Sequence, residues 1–401
     1  MDFLQMFQGI GTMFYQETNI VIMRILLIIA GVVLVWLGKR ETLEPLIMIP
    51  MGFGMAAVNA GVLFMSENTT GTIFIDPLMA ETDGLMNALQ FYFLQPIYTL
   101  TFSNSLIACL VFMGIGVLAD VGSLLRYPFT SMFIALFAEL GTIATYPIGR
   151  AFGLDYGESA AIALVGTADG PMVLFSSMML APELFVPITV IAYLYLSLTY
   201  AGYPFLIRAT VPKEIRGQVV KLTKKTGITS GEKLAFDVVA CVALCLLLPV
   251  AAPLFMSFFL GNVIKESGII KYTRLLEDVI LYWSTFFLGL LLGVLCDAST
   301  IMNPRVLPVL LLGMTALGLS GVGGMIGGWL VYLINGKNFN PTIGIAGVSC
   351  VPTTAKIAQH EVVKINKRAS IIQIAMGANL SGVITSAIIT GIYVSVRVNY
   401  M

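Results

Sequence analysis

An all-α polytopic membrane protein is the fold class this sequence predicts, and three observations predict it. Of 401 residues, 58% are hydrophobic and only 11% are charged, against about 25% charged in a typical soluble domain. Mean hydropathy is +0.91. The apolar residues also gather into roughly eleven runs, many near the about 20 residues that carry a helix across a bilayer. They fall at residues 19–38, 43–65, 104–120, 128–149, 158–180, 184–207, 234–260, 277–296, 306–334, 341–358 and 369–396. Not all of them need cross.

The same composition excludes several function classes. Lys+Arg and Asp+Glu are balanced at 22 each, so no basic face points to a nucleic-acid partner. Cys109, Cys241, Cys245, Cys296 and Cys350 lie in or beside apolar runs without a CxxC pair, and read as reduced packing residues. His360 is the only histidine, so neither zinc or haem chemistry nor a Ser/His/Asp or Cys/His catalytic group is expected. The start, Met1-Asp-Phe-Leu-Gln-Met6, is not basic and has no cleavable-signal pattern, so the chain is expected to mature intact.

In chain order, the first span ends at Lys39-Arg40, which places that end in the cytoplasm and the N-terminus outside. Residues 67–88 carry Glu67, Asp76, Glu81 and Asp83 and read as an exterior loop. Residues 208–233 form the largest hydrophilic stretch, with Lys213, Arg216, Lys221, Lys224, Lys225 and Lys233, a cytoplasmic loop in the inner (plasma) membrane. Four apolar segments lie between these loops, and four crossings from outside cannot end inside. Making 158–180 a re-entrant hairpin broken at Asp169-Gly170-Pro171 repairs the parity, because Gly-Pro breaks a helix. The alternative is that one of the four segments is misread.

The second half holds a matching oddity. Asn340-Pro341-Thr-Ile-Gly344-Ile-Ala-Gly347-Val-Ser349-Cys-Val-Pro352-Thr353-Thr354 is interrupted by Gly and Pro and carries amide and hydroxyl groups. Corresponding broken segments in two halves point to a transport site between inverted repeats. The expected organisation is therefore residues 1–103 as N-terminal spans with the acidic loop, and 104–207 as a first repeat broken at Asp169. The basic loop 208–233 follows, then 234–401 as a second repeat broken at 340–354.

A carboxylate at membrane depth needs a partner and by default marks an ion or proton path. Asp169, with freed carbonyls around Thr167 and Gly170, supplies half of a hard-oxygen cation site. Asn340, Ser349, Thr353 and Thr354, with carbonyls near Gly344 and Pro352, supply the other half. The bland alternative for each Ser and Thr is a bond back to its own helix. Tyr193 and Tyr195 follow the first hairpin; such a tyrosine is either a proton donor or an interface anchor. Asn379 and Ser386 ride a small-residue helix that reads as a packing face, though Asn379 is polar enough to line a cavity. The glycines of residues 321–328 lack the Lys-Ser/Thr of a phosphate loop and read as close helix packing. No Ala-Met-Lys-Met biotinylation site occurs in the chain.

At these residues the chain resembles the β subunit of the sodium-translocating, biotin-dependent decarboxylases, from Asn104 to its end. The resemblance rests on Asn104-Ser-Leu-Ile-Ala-Cys109, Gly166-Thr-Ala-Asp169-Gly-Pro171, Ala192-Tyr-Leu-Tyr195, Asn340-Pro-Thr-Ile-Gly344-Ile-Ala-Gly-Val-Ser349 and Met376-Gly-Ala-Asn379-Leu-Ser-Gly-Val-Ile-Thr-Ser386. It implies a subunit that decarboxylates carboxybiotin, with proton consumption and outward Na+ movement. The biotin sits on a partner carrier, and a carboxyltransferase subunit and a small membrane-anchor subunit complete the complex; homo-oligomers are also expected. Matched by position, Asp169, Tyr195, Asn340, Gly344 and Ser349 take the family's sodium and proton roles, and Lys356 stands where the family usually has Arg. Lysine keeps the charge but loses the planar fork. Thr167 replaces a usual glycine. The tail and the region Leu198-Thr-Tyr-Ala-Gly-Tyr-Pro204 look more like the glutaconyl-CoA branch than the oxaloacetate branch. The rival reading is a Na+-coupled secondary carboxylate symporter, which wants an arginine in a broken segment; neither segment has one.

Overall fold

The computed structural model describes residues 7–66, 69–76, 89–220 and 227–400. Glu67, Glu81 and Asp83 of the acidic loop, and Lys221, Lys224 and Lys225 of the basic loop, lie outside the described residues. Almost everything described is helix; the exception is a short hairpin, β1 (Leu63–Ser66) against β2 (Thr69–Gly71). Among the described residues, five helices are long and apolar enough to cross a membrane, and up to seven if each of two bent helix pairs is one span. The remaining apolar runs of the sequence form shorter pieces, because Pro and Gly interrupt them.

Contacts divide the chain into two units, one of Met1–Ile107 with Tyr282–Leu307 and one of Ala108–Leu281 with Pro308–Met401. In the first unit, α1 (Gln8–Tyr15), α2 (Thr18–Lys39) and α3 (Pro45–Ala60) precede the hairpin. α2 is a largely aliphatic run interrupted by Arg24, and α3 starts with Pro45 where a missing N–H costs nothing. A Cβ at Gly52 would lie 2.5 Å from the Gly31 carbonyl, so the two helices meet backbone to backbone. Arg24 on α2 is buried and fully used. Its Nε donates to Asn59 O at 3.0 Å, Nη1 to Gln16 Oε1 at 2.6 Å and Thr12 Oγ1 at 3.1 Å, and Nη2 to Gly9 O at 3.3 Å.

The second unit runs through α4 (Leu106–Leu118), α5 (Val121–Arg126), α6 (Pro128–Ile143) and α7 (Thr145–Ala151). The first broken segment follows: α8 (Tyr156–Ala163), a 3-10 turn (Leu164–Thr167) and α9 (Gly170–Leu180). α10 (Phe185–Thr210), α11 (Lys213–Arg216), α12 (Ser230–Leu247), α13 (Ala252–Glu266), α14 (Leu281–Leu295) and α15 (Val306–Ile334) come next in the chain; all of α14 but Leu281 belongs to the first unit. The second broken segment is a 3-10 stretch (Pro341–Gly347) followed by α16 (Thr353–Val363), and α17 (Ile372–Tyr400) closes the chain. α8 and α12 start on reciprocal caps: Asp155 with Glu158, and Thr229 with Glu232.

Packing of the second unit is reciprocal. The first broken segment touches α15, where a Cβ at Gly166 would lie 2.8 Å from Ala316 O; the second touches α6, where a Cβ at Gly347 would lie 2.8 Å from Ile134 O. α17, which follows the second broken segment, holds the first: Arg397 Nη1 donates to Met179 O at 3.0 Å, and Tyr156 OH to Tyr393 O at 3.0 Å. α10, which follows the first, holds the second through Arg208 and Glu361 at 2.7 Å. Each break is thus clamped by elements from the opposite half.

Candidate functional site

The first break is made by three successive residues. Thr167 ends the 3-10 turn, Ala168 turns left-handed at φ 53, and Asp169 caps α9 ahead of Gly170-Pro171. Pro171 in the first turn of α9 loses no intrahelical bond there. Asp169 is 5% exposed; its side chain accepts from Met172 N–H at 3.4 Å, and its own N–H donates to Thr167 Oγ1 at 3.3 Å. The N-terminal end of α9, carrying partial positive charge, therefore faces the carboxylate.

The second break meets the first at one atom. Ser349 donates to the Thr167 carbonyl twice, from Oγ at 2.7 Å and from its N–H at 3.1 Å. Asn379 on α17 fixes the same stretch. Its Nδ2 donates to Val348 O at 2.9 Å, Ala346 O at 3.1 Å and Thr354 Oγ1 at 2.9 Å, and Thr354 Oγ1 donates to Val348 O at 2.8 Å. Asp169, Thr167, Ser349, Thr354 and Asn379 are thereby linked as neighbours in one buried region. Asn379 Oδ1 is buried with no hydrogen-bond partner, an oxygen left over for a ligand.

Other sequence-predicted residues lie elsewhere or serve other contacts. Asn340 caps the 3-10 stretch through Thr342 N–H at 3.1 Å, while its Nδ2 donates to Arg216 O at 2.9 Å and Gln218 O at 3.3 Å. Gly344 sits where the second break crosses α15, and a Cβ there would lie 3.0 Å from the Gly324 carbonyl carbon and 3.1 Å from Gly328 Cα. Thr353 Oγ1 shares a hydrogen bond with Tyr200 OH at 3.3 Å. Ser386 bonds back to Val383 O at 2.9 Å on its own helix. Lys356 is exposed. Tyr195 donates its OH to Leu310 O at 2.7 Å and lines a cavity of about 350 Å³ with Thr199, Tyr203, Leu206, Met314 and Leu317.

Two groups stand out that the sequence reading did not place in the site. Tyr193, not Tyr195, lies against the break: a Cβ on Gly170 would sit 2.6 Å from Tyr193 OH, which is itself buried without a partner. Glu139 is fully buried on α6, which packs on both broken segments, and neither of its carboxylate oxygens has a hydrogen-bond partner. Its signal was in plain view, a lone carboxylate inside the apolar run 128–149. The combined donor set is carboxylate, hydroxyl, amide oxygen and carbonyl, without sulfur or imidazole. That chemistry suits a hard monovalent cation or a proton.

Comparison with known proteins gives a family and several relatives. The profile of the Na+-transporting oxaloacetate decarboxylase beta-subunit family matches residues 23–397. The chain is 54% identical to a carboxybiotin decarboxylase from Malonomonas rubra over 98% of each chain. It is 30% identical to oxaloacetate decarboxylase beta chain 2 of Salmonella typhi, over 92% of this chain and 93% of that one. It is 29% identical to the beta subunit of methylmalonyl-CoA decarboxylase of Veillonella parvula, over 94% and 93%.

Proposed function

The chain belongs to the Na+-transporting oxaloacetate decarboxylase beta-subunit family, and on that premise we propose that it decarboxylates carboxybiotin and couples the step to outward Na+ movement. It is a multi-pass membrane protein and a decarboxylase-translocase subunit; that membership sets aside the secondary symporter. The biotin arrives on a carrier subunit, loaded by a carboxyltransferase subunit, with a small membrane-anchor subunit completing the complex.

One observation carries the reading: the Thr167 carbonyl receives both donors of Ser349, two residues from buried Asp169. Two helix breaks from opposite halves meet beside a carboxylate. In this reading Na+ is cargo, held by Asp169, the Thr167 carbonyl and the Ser349 hydroxyl, with Asn340 and Gly344 shaping the second break. Loss of CO2 breaks the bond from the carboxyl carbon to biotin nitrogen, the electron pair stays on nitrogen, and nitrogen takes up one proton. Tyr195, with Tyr193 nearer the break, is assigned to that proton's route. A carboxylate that alternates between Na+ and H+ then ties transport to proton consumption, and Lys356 offers a positive charge to the anionic substrate at the cytoplasmic mouth.

The acyl substrate is set by the carboxyltransferase partner. Glutaconyl-CoA remains the proposed one on the resemblance of the tail and of residues 198–204, although the relatives above are named for other substrates. Decarboxylation of glutaconyl-CoA by the assembled complex, against oxaloacetate and methylmalonyl-CoA, tests that part. The sodium site is tested with Asp169→Asn in proteoliposomes. Loss of both sodium uptake and Na+-stimulated decarboxylation is expected; surviving coupled activity would remove Asp169 from the role.

A further inference from the structure

We propose that Arg216 forms an anion subsite at the cytoplasmic mouth that takes the carboxylate of incoming carboxybiotin and is tied through its own backbone to Asn340. The inference rests on the proposed decarboxylation and names the group that recognises its substrate.

Arg24 and Arg216 are the buried arginines among the described residues. They are treated in opposite ways. Arg24 places every guanidinium nitrogen on a neutral acceptor. Arg216 is 6% exposed, yet its Nε and Nη1 are buried with no acceptor. A buried cation without counter-charge or hydrogen bonds is strongly unfavourable, so such a group in a folded chain marks a place that an anion fills.

The buried acid of α16, the helix whose following turn binds Gly217 O, is already committed: Glu361 is held by Arg208 and Lys364, each at 2.7 Å. No acceptor of the described residues meets Arg216 Nε or Nη1.

The setting is rigid. Gly217 O accepts from Asn366 Nδ2 at 2.9 Å, Gln218 Nε2 donates to Lys337 O at 2.7 Å, and the carbonyls of Arg216 and Gln218 both hold Asn340. Residues 216–218 are thus clamped between the start of the second broken segment and the turn after α16. A guanidinium recognises carboxylate through paired N–H donors in one plane. Lys356 is exposed, and its ammonium lacks that plane. Arg216 offers a planar guanidinium whose Nε and Nη1 lack acceptors, and a carboxylate bound there pulls on the peptide that anchors Asn340. Substrate arrival is thereby transmitted to the second half of the cation site.

The test uses the full complex in membranes and the purified full chain in detergent. Arg216→Gln removes the charge, and Arg216→Lys keeps charge but not the fork. With free N-carboxybiotin, Arg216→Gln is expected to raise KM roughly ten- to hundredfold, the loss of a hydrogen-bonded charge contact, with kcat changed less; Arg216→Lys falls between. A second arm needs no turnover: sodium acetate, at ionic strength matched with sodium chloride, raises the unfolding temperature of the wild type and of Arg216→Lys more than that of Arg216→Gln. A KM within twofold of wild type in both variants, or equal acetate protection in all three proteins, overturns the subsite. Should Arg216→Gln fail to fold, the KM of Arg216→Lys decides alone: a rise beyond twofold supports the subsite and a KM within twofold of wild type overturns it. Coupled turnover surviving in Asp169→Asn would sink the sodium site alone, since the acetate arm does not depend on it.

Discussion

Asn379→Ala tests how the second break is held. The wild-type amide lies fully buried on α17 and donates to Ala346 O, Val348 O and Thr354 Oγ1. Truncation does not strip all of them equally, because Val348 O keeps the Thr354 hydroxyl at 2.8 Å. Ala346 O loses the Asn379 donor, and a buried acceptor left unmet costs about 1–3 kcal/mol, with about 1 kcal/mol more for the second lost bond. The sum, about 2–4 kcal/mol, is roughly a thirty- to thousandfold rise in opening of the 3-10 stretch. Hydrogen exchange of residues 341–349 in detergent-purified protein reads that opening directly, and the Na+ concentration for half-maximal decarboxylation should rise with it. Ser386→Ala on the same helix is the control, since its hydroxyl only bonds back to Val383 O; it should stay within about 0.5 kcal/mol of wild type. Wild-type exchange and Na+ dependence in Asn379→Ala would refute the reasoning.

Two further outcomes follow from other parts of the fold. Gly170→Ala builds a methyl into the Tyr193 ring, and overpacking of this kind costs about 1–3 kcal/mol; the unfolding temperature should fall, and Tyr193→Leu in the same chain should recover part of the loss. On α16, Arg208 first and then Lys364 hold the Glu361 carboxyl at about 2, below its ordinary 4.5, against burial, which raises it. A depressed carboxyl pKa stabilises the fold at pH values above the unfolded pKa, and that contribution is lost as pH falls through the folded pKa. Stability should therefore decline between about pH 4.5 and 2 in wild type, and more shallowly there in Glu361→Gln; identical acid limbs in urea titrations would contradict the assignment.

The parts of this site that were legible in the sequence are those fixed by local chemistry. Asp169-Gly170-Pro171 announces its own break, because proline and glycine act on the residues beside them. Ser349 was legible as a polar group in an interrupted run, though not its partner: that Thr167 O receives it depends on two segments 182 residues apart. Tyr193 and Tyr195 could not be ranked, since two residues rotate a helix by about 200°, and nothing local says which face meets α9. Asn340 read as a ligand by type, yet its amide is turned to the carbonyls of Arg216 and Gln218, a contact that exists only once the basic loop has docked. Glu139 was visible as a lone acid; what the sequence could not show is that α6 lies on both breaks at once.

The crossing of the second break over α15 has one more consequence. At Gly324, Gly328 and Gly344 the two strands of chain touch through bare peptide, and α17 approaches through Gly382 in the same way. Side chains normally form ridges that lock into facing grooves, and here there are none to disengage. At those glycines no side chains interlock, so a small shear of one element along the other would need no rotamer to flip there.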